Sequence, residues 1–154
     1  MYPRLVAPKL VAALDDTPVV LLNGARQTGK TTLARSVVET RGGRYVTLDD
    51  ATTLAAARND PTAFLEGLAD FAVIDEVQYA PELFPAIKLR VDRRRRPGQL
   101  LLTGSANVLT LPRLSESLAG RMEIISLFPL AQVELTGRSH NLVEIGRASC
   151  RERV

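Results

Sequence analysis

The sequence has 154 residues, of which 45% are hydrophobic and 24% are charged, an ordinary composition for a globular protein with one core. No apolar run approaches the ~20 residues of a membrane-spanning helix, and the N-terminus lacks the layout of a signal peptide, so we expect a cytoplasmic protein without a membrane partner. The net charge is only +3, which by itself gives little reason to expect a nucleic-acid partner.

The N-terminal region predicts a helix followed by a buried strand. Hydrophobic residues recur at helical spacing up to Leu14, with Pro8 near the start, which predicts a helix over residues 8–14. The turn-forming stretch Asp15–Pro18 follows it. The apolar run Val19–Leu22 then predicts a short buried strand.

Directly after this strand, residues 24–31 fit the P-loop pattern Gly-x-x-x-x-Gly-Lys-[Ser/Thr] at every fixed position, and a helix is predicted over residues 32–40. In this strand–loop–helix context, glycines let the backbone approach an anion, and loop N–H groups and the helix N-terminus favour phosphate. We expect Lys30 to reach the β- and γ-phosphates and Thr31 to bind Mg²⁺. The alternative is a chance Gly-rich turn before a helix. The residues predicted to surround the phosphates are Gly24, Ala25, Arg26, Gln27, Thr28, Gly29, Lys30, Thr31 and Thr32.

Two acidic residues follow the second predicted strand, Tyr45–Leu48. Asp49 and Asp50 are each expected either to approach the functional edge of the sheet or to cap a helix over residues 51–58. Asp60 and Pro61 then begin another short helix, with proline at its preferred first position.

The stretch Phe71–Glu76 carries the second strong signal, because four apolar residues lead into adjacent carboxylates. Ligands of open α/β sheets lie outside the carboxyl ends of the strands, the edge that also presents the P-loop. We expect Asp75 to hold Mg²⁺, directly or through water, and Glu76 to activate or orient the attacking water. A solvated strand end is the alternative interpretation.

A helix follows Pro81, with Leu83, Ile87 and Val91 at helical spacing, and it leads into a run of four arginines. This run has two interpretations. It is either a contact surface for nucleic acid or a protein partner, or a solvated helix C-terminus, where the dipole favours cations. The four residues are Arg93, Arg94, Arg95 and Arg96.

The next predicted strand, residues 99–103, ends in a turn of small polar residues. Ser105 is the first candidate for a residue that senses the γ-phosphate or aligns water beside Glu76, followed by Asn107 and Thr103. An ordinary turn or helix cap is the alternative. Beyond a helical segment broken at Pro112, a strand over residues 122–127 and a helix over residues 131–135 are predicted. Arg121 is expected either to supply positive charge to the transition state, in cis or across subunits, or to form a structural ion pair.

Strands separated by helices predict a three-layer α/β fold, a P-loop NTPase core with a five-stranded, mostly parallel sheet and the P-loop strand at its centre. The motifs together resemble bacterial and archaeal AAA-type ATPases that have an N-terminal P-loop domain and a separate C-terminal domain. The resemblance implies ATP binding at the P-loop, Mg²⁺ and water activation at Asp75 and Glu76, and a sensor in the 103–107 turn. The matching segments are residues 22–32, 48–50, 74–78, 102–107 and 116–121.

The C-terminal stretch Glu144–Val154 has no clear hydrophobic period and resembles the in-frame translation of a common sequencing adapter. A genuine polar tail is the alternative. From the adapter interpretation we expect a truncated AAA-type domain over residues 1–143, without its lid and C-terminal domain. The remaining residues would be a non-native tail that holds the only cysteine, Cys150.

Two functions remain open at this point. The first is an ATPase that couples hydrolysis of Mg-ATP to conformational change in a missing C-terminal region, with a homo-oligomer as one possible assembly. The second is a nucleotide-dependent switch or nucleic-acid-binding module with little turnover. No Asn-Lys-x-Asp motif of the kind that GTPases use is present.

Overall fold

The computed structural model describes residues 4–129. Five strands alternate with helices, and every predicted element within this range is present with small shifts at its ends. The predicted helix over residues 131–135 and the tail lie outside the described residues. The helices are α1 (Ala7–Asp16), α2 (Lys30–Arg41), α3 (Ala51–Asn59), α4 (Pro61–Glu66), α5 (Leu83–Arg94) and α6 (Pro112–Leu118); the strands are β1 (Val19–Asn23), β2 (Arg44–Thr47), β3 (Ala72–Asp75), β4 (Leu100–Gly104) and β5 (Met122–Ser126).

The strands form one sheet in the order β2-β3-β4-β1-β5, and all four neighbouring pairs are parallel. The predicted three-layer α/β fold is confirmed. The predicted position of the P-loop strand is wrong, because β4 occupies the centre and β1 lies beside the edge strand β5. Both β1 and β4 are buried along their whole length, so hydrophobicity alone does not distinguish the central strand from its neighbour.

Alternation along each strand divides the core between the two faces of the sheet. Val20 and Leu22 of β1 pack with α1 and α2 on one face, whereas Val19 and Leu21 pack with the helices that follow β2 on the other. All five strands are parallel, so their carboxyl ends meet at one edge, and the loops that follow β1, β3 and β4 lie there together. None of the helices within residues 4–129 is long and apolar enough to cross a membrane.

Local signals account for the helix ends near this edge. The Asp50 carboxylate accepts a hydrogen bond from the backbone N–H of Thr53 at 2.7 Å, so the predicted N-cap of α3 is present. That bond lowers the pKa of Asp50 below its usual value. Asp60 caps α4 in the same way, through Ala63 N–H at 2.9 Å.

Candidate nucleotide site

The P-loop runs from the end of β1 to the start of α2, and its backbone conformation requires glycine at two positions. Gly29 has a φ of +89°, in the left-handed region where other residues are strained. A Cβ at Gly24 would collide with the carbonyl oxygen of Leu127, which follows β5. Residues of the loop, together with Glu76, line an open cleft of about 670 Å³.

Lys30 is 5% exposed and lies inside the loop. Its ammonium group donates hydrogen bonds to the carbonyl oxygens of Gly24 at 2.9 Å and Ala25 at 2.7 Å. Thr28 stabilises the same turn, because its hydroxyl donates to the Ala25 carbonyl at 2.9 Å. The positive charge is thus held at the concave side of a loop whose chemistry suits phosphate.

Arg4 also contacts the P-loop, although sequence reasoning did not identify it as a site residue. Its guanidinium donates to the carbonyl oxygen of Thr28 at 2.8 Å and to that of Phe128 at 2.5 Å. It therefore links the N-terminal segment to the P-loop and to the turn after β5. No local motif marks this arginine, because its partners lie 24 and 124 residues away in the sequence.

Asp75 ends β3 and is 2% exposed, so its carboxylate needs hydrogen-bond donors. The Thr31 hydroxyl donates to Oδ2 at 3.0 Å, and the Tyr45 hydroxyl donates to the same oxygen at 2.6 Å. Thr103 of β4 donates its hydroxyl proton to Oδ1. Burial, followed by the bond to Asp75, raises the pKa of Tyr45 to about 12, which keeps the phenol protonated near neutral pH.

Thr31 and Asp75 provide the hard oxygen donors that Mg²⁺ prefers, beside a loop suited to phosphates. A hydroxyl and a carboxylate held 3.0 Å apart fit the expected magnesium site. Thr103, the third candidate in the 103–107 turn, also belongs to this site. Its hydroxyl oxygen accepts the backbone N–H of Glu76 at 3.1 Å.

Glu76 has a φ of +59° and a ψ of +47°, an uncommon conformation for a residue other than glycine. Such backbone strain clusters at functional sites. Its carboxylate accepts a hydrogen bond from the Gln78 side-chain amide, two residues further along the chain. Glu76 lines the P-loop cleft and also an adjoining cleft of about 440 Å³.

Ser105 and Asn107 line this adjoining cleft with Glu76 and Arg26, so four of the predicted site residues lie together. Ser105 begins the 3-10 turn Ala106–Thr110 but makes no side-chain capping bond, so the alternative role as a cap is not observed. Asn107 is exposed. Their proposed sensing role stays a prediction.

Arg121 lies directly before β5, at the amino ends of the strands and therefore at the opposite end of the sheet from the P-loop. Its carbonyl oxygen accepts the backbone N–H of Val19. Its guanidinium pairs with Asp92, with Nε 2.6 Å from Oδ1, and this bond raises the pKa of Arg121 and lowers that of Asp92. Arg121 thus lies away from the P-loop edge, at the start of β5, and its role in the transition state stays a prediction. The structure forms the ion pair that was the alternative, and a role in cis or across subunits is not tested by it.

The arginine run also lies at the edge away from the P-loop, where α5 ends. Arg94 and Arg96 pair with Asp70 at 3.1 and 2.8 Å, and Arg93 lies 3.9 Å from Glu66. The Arg95 side chain donates to the carbonyl oxygen of Asp92 in the last turn of the same helix. The carboxylates offset part of the positive charge, and a nucleic-acid or protein partner for this face stays a prediction.

A family model described as an AAA domain matches residues 16–136. The chain belongs to the AAA domain family. This AAA domain is 44% identical over 129 residues to uncharacterized proteins of Mycobacterium tuberculosis and Mycobacterium bovis, a match that covers 80% of the chain and 28% of each relative. The chain thus spans less than a third of the length of these curated relatives.

Solved structures agree with this assignment at the level of the fold. The AAA domain resembles a Walker-type ATPase of Pyrococcus abyssi with a TM-score of 0.60 at 18% identity, covering 96% of this chain and 62% of that one. It also resembles AMPPCP-bound DnaA from Aquifex aeolicus with a TM-score of 0.54 at 16% identity, covering 96% and 59%. The predicted relationship to AAA-type P-loop ATPases is confirmed.

Proposed function

We propose that this AAA domain binds Mg-ATP at the P-loop and hydrolyses it, and that hydrolysis drives a conformational change in a C-terminal region of a longer protein. The single observation that carries the proposal is the convergence of the P-loop, Asp75 and Glu76 at one sheet edge, with Thr31 bonded to Asp75 at 3.0 Å. Relatives more than three times as long as the matched segment support a further region for the domain to act on.

Each group has a distinct role in this mechanism. The P-loop N–H groups and Lys30 bind the phosphates, and Thr31 and Asp75 hold Mg²⁺, which neutralises developing negative charge. Water attacks the γ-phosphorus, the bond to the bridging oxygen of ADP breaks, and Glu76 accepts the proton that the water releases. In this proposal Ser105 and Asn107 contact the γ-phosphate or the water, and their position in a cleft that Glu76 also lines supports that role.

The Gln78 contact favours a second candidate, a nucleotide-dependent switch with little turnover. The Gln78 amide occupies an oxygen of the Glu76 carboxylate, which lowers the availability of that oxygen to a water proton. In a switch this arrangement persists when nucleotide binds. In an ATPase, Glu76 must exchange this donor for water during the cycle.

The substitution Glu76→Gln separates the two candidates, because it removes the base and retains the size of the side chain. The ATPase proposal predicts a loss of turnover of at least about a hundredfold, the lower end of what a positioned general base contributes. ATP affinity should be retained. Equal, near-background turnover in the parent and the variant, with ATP binding intact in both, would instead identify the switch.

A further inference from the structure

Asp75 is the point at which hydroxyl groups from three different elements meet. Thr31 comes from α2, Tyr45 from β2 and Thr103 from β4, and each donates to the carboxylate. Thr31 belongs to the P-loop pattern, and Thr103 lies on β4, the strand next to β3. Tyr45 belongs to no motif, yet its bond of 2.6 Å to Oδ2 is shorter than that of Thr31.

The three hydroxyl donors leave few acceptor positions of the Asp75 carboxylate available. An ionised carboxylate has about four lone-pair positions, two on each oxygen. Thr31 and Tyr45 occupy those of Oδ2, and Thr103 occupies one of those of Oδ1. One position on Oδ1 remains, so the carboxylate is fixed in a single orientation with a single direction for a further contact.

Tyr45 is itself held in place from two directions. β2 pairs in parallel with β3, with Tyr45 opposite Val73, which lets the phenol reach forward to the end of β3. The Arg35 guanidinium lies 4.5 Å from the centroid of the phenol ring. Arg35 follows Thr31 by four residues and shares its helix face, so one face of α2 contacts both Asp75 and the residue that supports it.

We propose that Tyr45 is a positioning residue for the magnesium ion, acting through the orientation of the Asp75 carboxylate. This inference rests on the proposed function, because it assigns a residue to the Mg²⁺ site of that function. Tyr45 is not among the residues that line the nucleotide cleft, and its hydroxyl is bonded to Asp75. Its removal therefore weakens the binding of Mg²⁺ while the phosphate cradle is unchanged.

The substitution Tyr45→Phe isolates the hydroxyl, since the ring keeps its contact with Arg35 and its packing against the core. The measurement is thermal unfolding at a fixed ATP concentration while MgCl₂ is titrated from zero, with a parallel series of ATP in EDTA. Loss of such a supporting hydrogen bond typically costs 10–100-fold in metal affinity, and we expect the half-maximal Mg²⁺ concentration to rise by about tenfold. The shift produced by ATP in EDTA should equal that of the parent protein.

Two further variants complete the design. Ser36→Ala removes another hydroxyl from α2, one that donates to the Leu33 carbonyl at 2.7 Å and does not contact Asp75, so its Mg²⁺ midpoint should equal the parent's. Arg35→Met removes the cation over the phenol ring and should move the midpoint in the same direction as Tyr45→Phe. It also tests the inference if Tyr45→Phe does not fold.

The outcomes distinguish failure of this inference from failure of the proposed function on which it rests. An unchanged Mg²⁺ midpoint in Tyr45→Phe, with a normal response of the parent protein, overturns the role of Tyr45 and leaves the proposed function intact. Equal weakening with and without Mg²⁺ also overturns it, because the hydroxyl would then act on nucleotide binding as a whole. A parent protein that shows no Mg²⁺-dependent shift overturns the proposed function and this inference together.

Discussion

Thr103 provides the sharpest test of how the site is held together. Its side chain is fully buried, donates to Asp75 Oδ1 and accepts the Glu76 N–H at 3.1 Å. The substitution Thr103→Val keeps the shape of the side chain and replaces the hydroxyl with a methyl group. It removes one of three donors to a buried carboxylate and one acceptor of a backbone N–H.

The expected cost follows from these two bonds. A hydrogen bond to a charged group contributes about 1.5–3 kcal/mol and one to a backbone N–H about 0.5–1.5 kcal/mol, so we expect a loss of about 2–4 kcal/mol in the free energy of unfolding. For a domain of this size that corresponds to a decrease in Tm of roughly 4–16 °C.

The assay is urea unfolding of the parent and the variant, with Thr110→Val as a matched control. The Thr110 hydroxyl is exposed and donates only to the Asn107 carbonyl at 2.7 Å, so its loss should cost within about 0.5 kcal/mol. If Thr103→Val destabilises the protein no more than Thr110→Val does, the hydroxyl does not hold Asp75 and the reasoning is refuted.

Two other predictions concern the P-loop and the phenol of Tyr45. Gly24→Ala should abolish the ATP-induced thermal shift, because the new Cβ collides with the Leu127 carbonyl and displaces the loop; a shift equal to the parent's would contradict this. Tyr45 has a folded pKa of about 12 against about 10 when unfolded, so the stability it contributes is fully present below pH 10 and is lost as the pH rises toward 12. Urea unfolding between pH 9 and 12 should therefore show a shallower decline for Tyr45→Phe than for the parent, and parallel curves would count against the raised pKa.

The features that the sequence predicts well are those encoded over short distances. The P-loop and the Asp75-Glu76 pair each lie within one strand and the loop after it, so a linear pattern contains most of their geometry. The Asp50 cap acts on a backbone group three residues away. These segments need no knowledge of the strand order to be identified.

The features that were missed depend on which strands are neighbours. The insertion of β4 between β1 and β3 puts β4 at the centre and brings Thr103 to Asp75. Tyr45 meets Asp75 because of the β2–β3 register, which no local pattern specifies. Arg121 pairs with Asp92, 29 residues earlier in the sequence, and no local pattern identifies that partner.

Thermal unfolding with Mg-ATP tests the central claim, that this sheet edge is a nucleotide site, most directly. The measurement compares Mg-ATP with Mg-GTP, and the parent with Lys30→Ala, using the shift of each protein relative to its own nucleotide-free Tm. Ligand at about 100 times Kd stabilises the folded state by about 2.7 kcal/mol, which corresponds to a shift of roughly 5–11 °C. A shift of this size with ATP that is absent in Lys30→Ala is the predicted result. A cooperatively folded parent protein that does not respond to ATP, or a Lys30→Ala variant that responds equally, would contradict the claim.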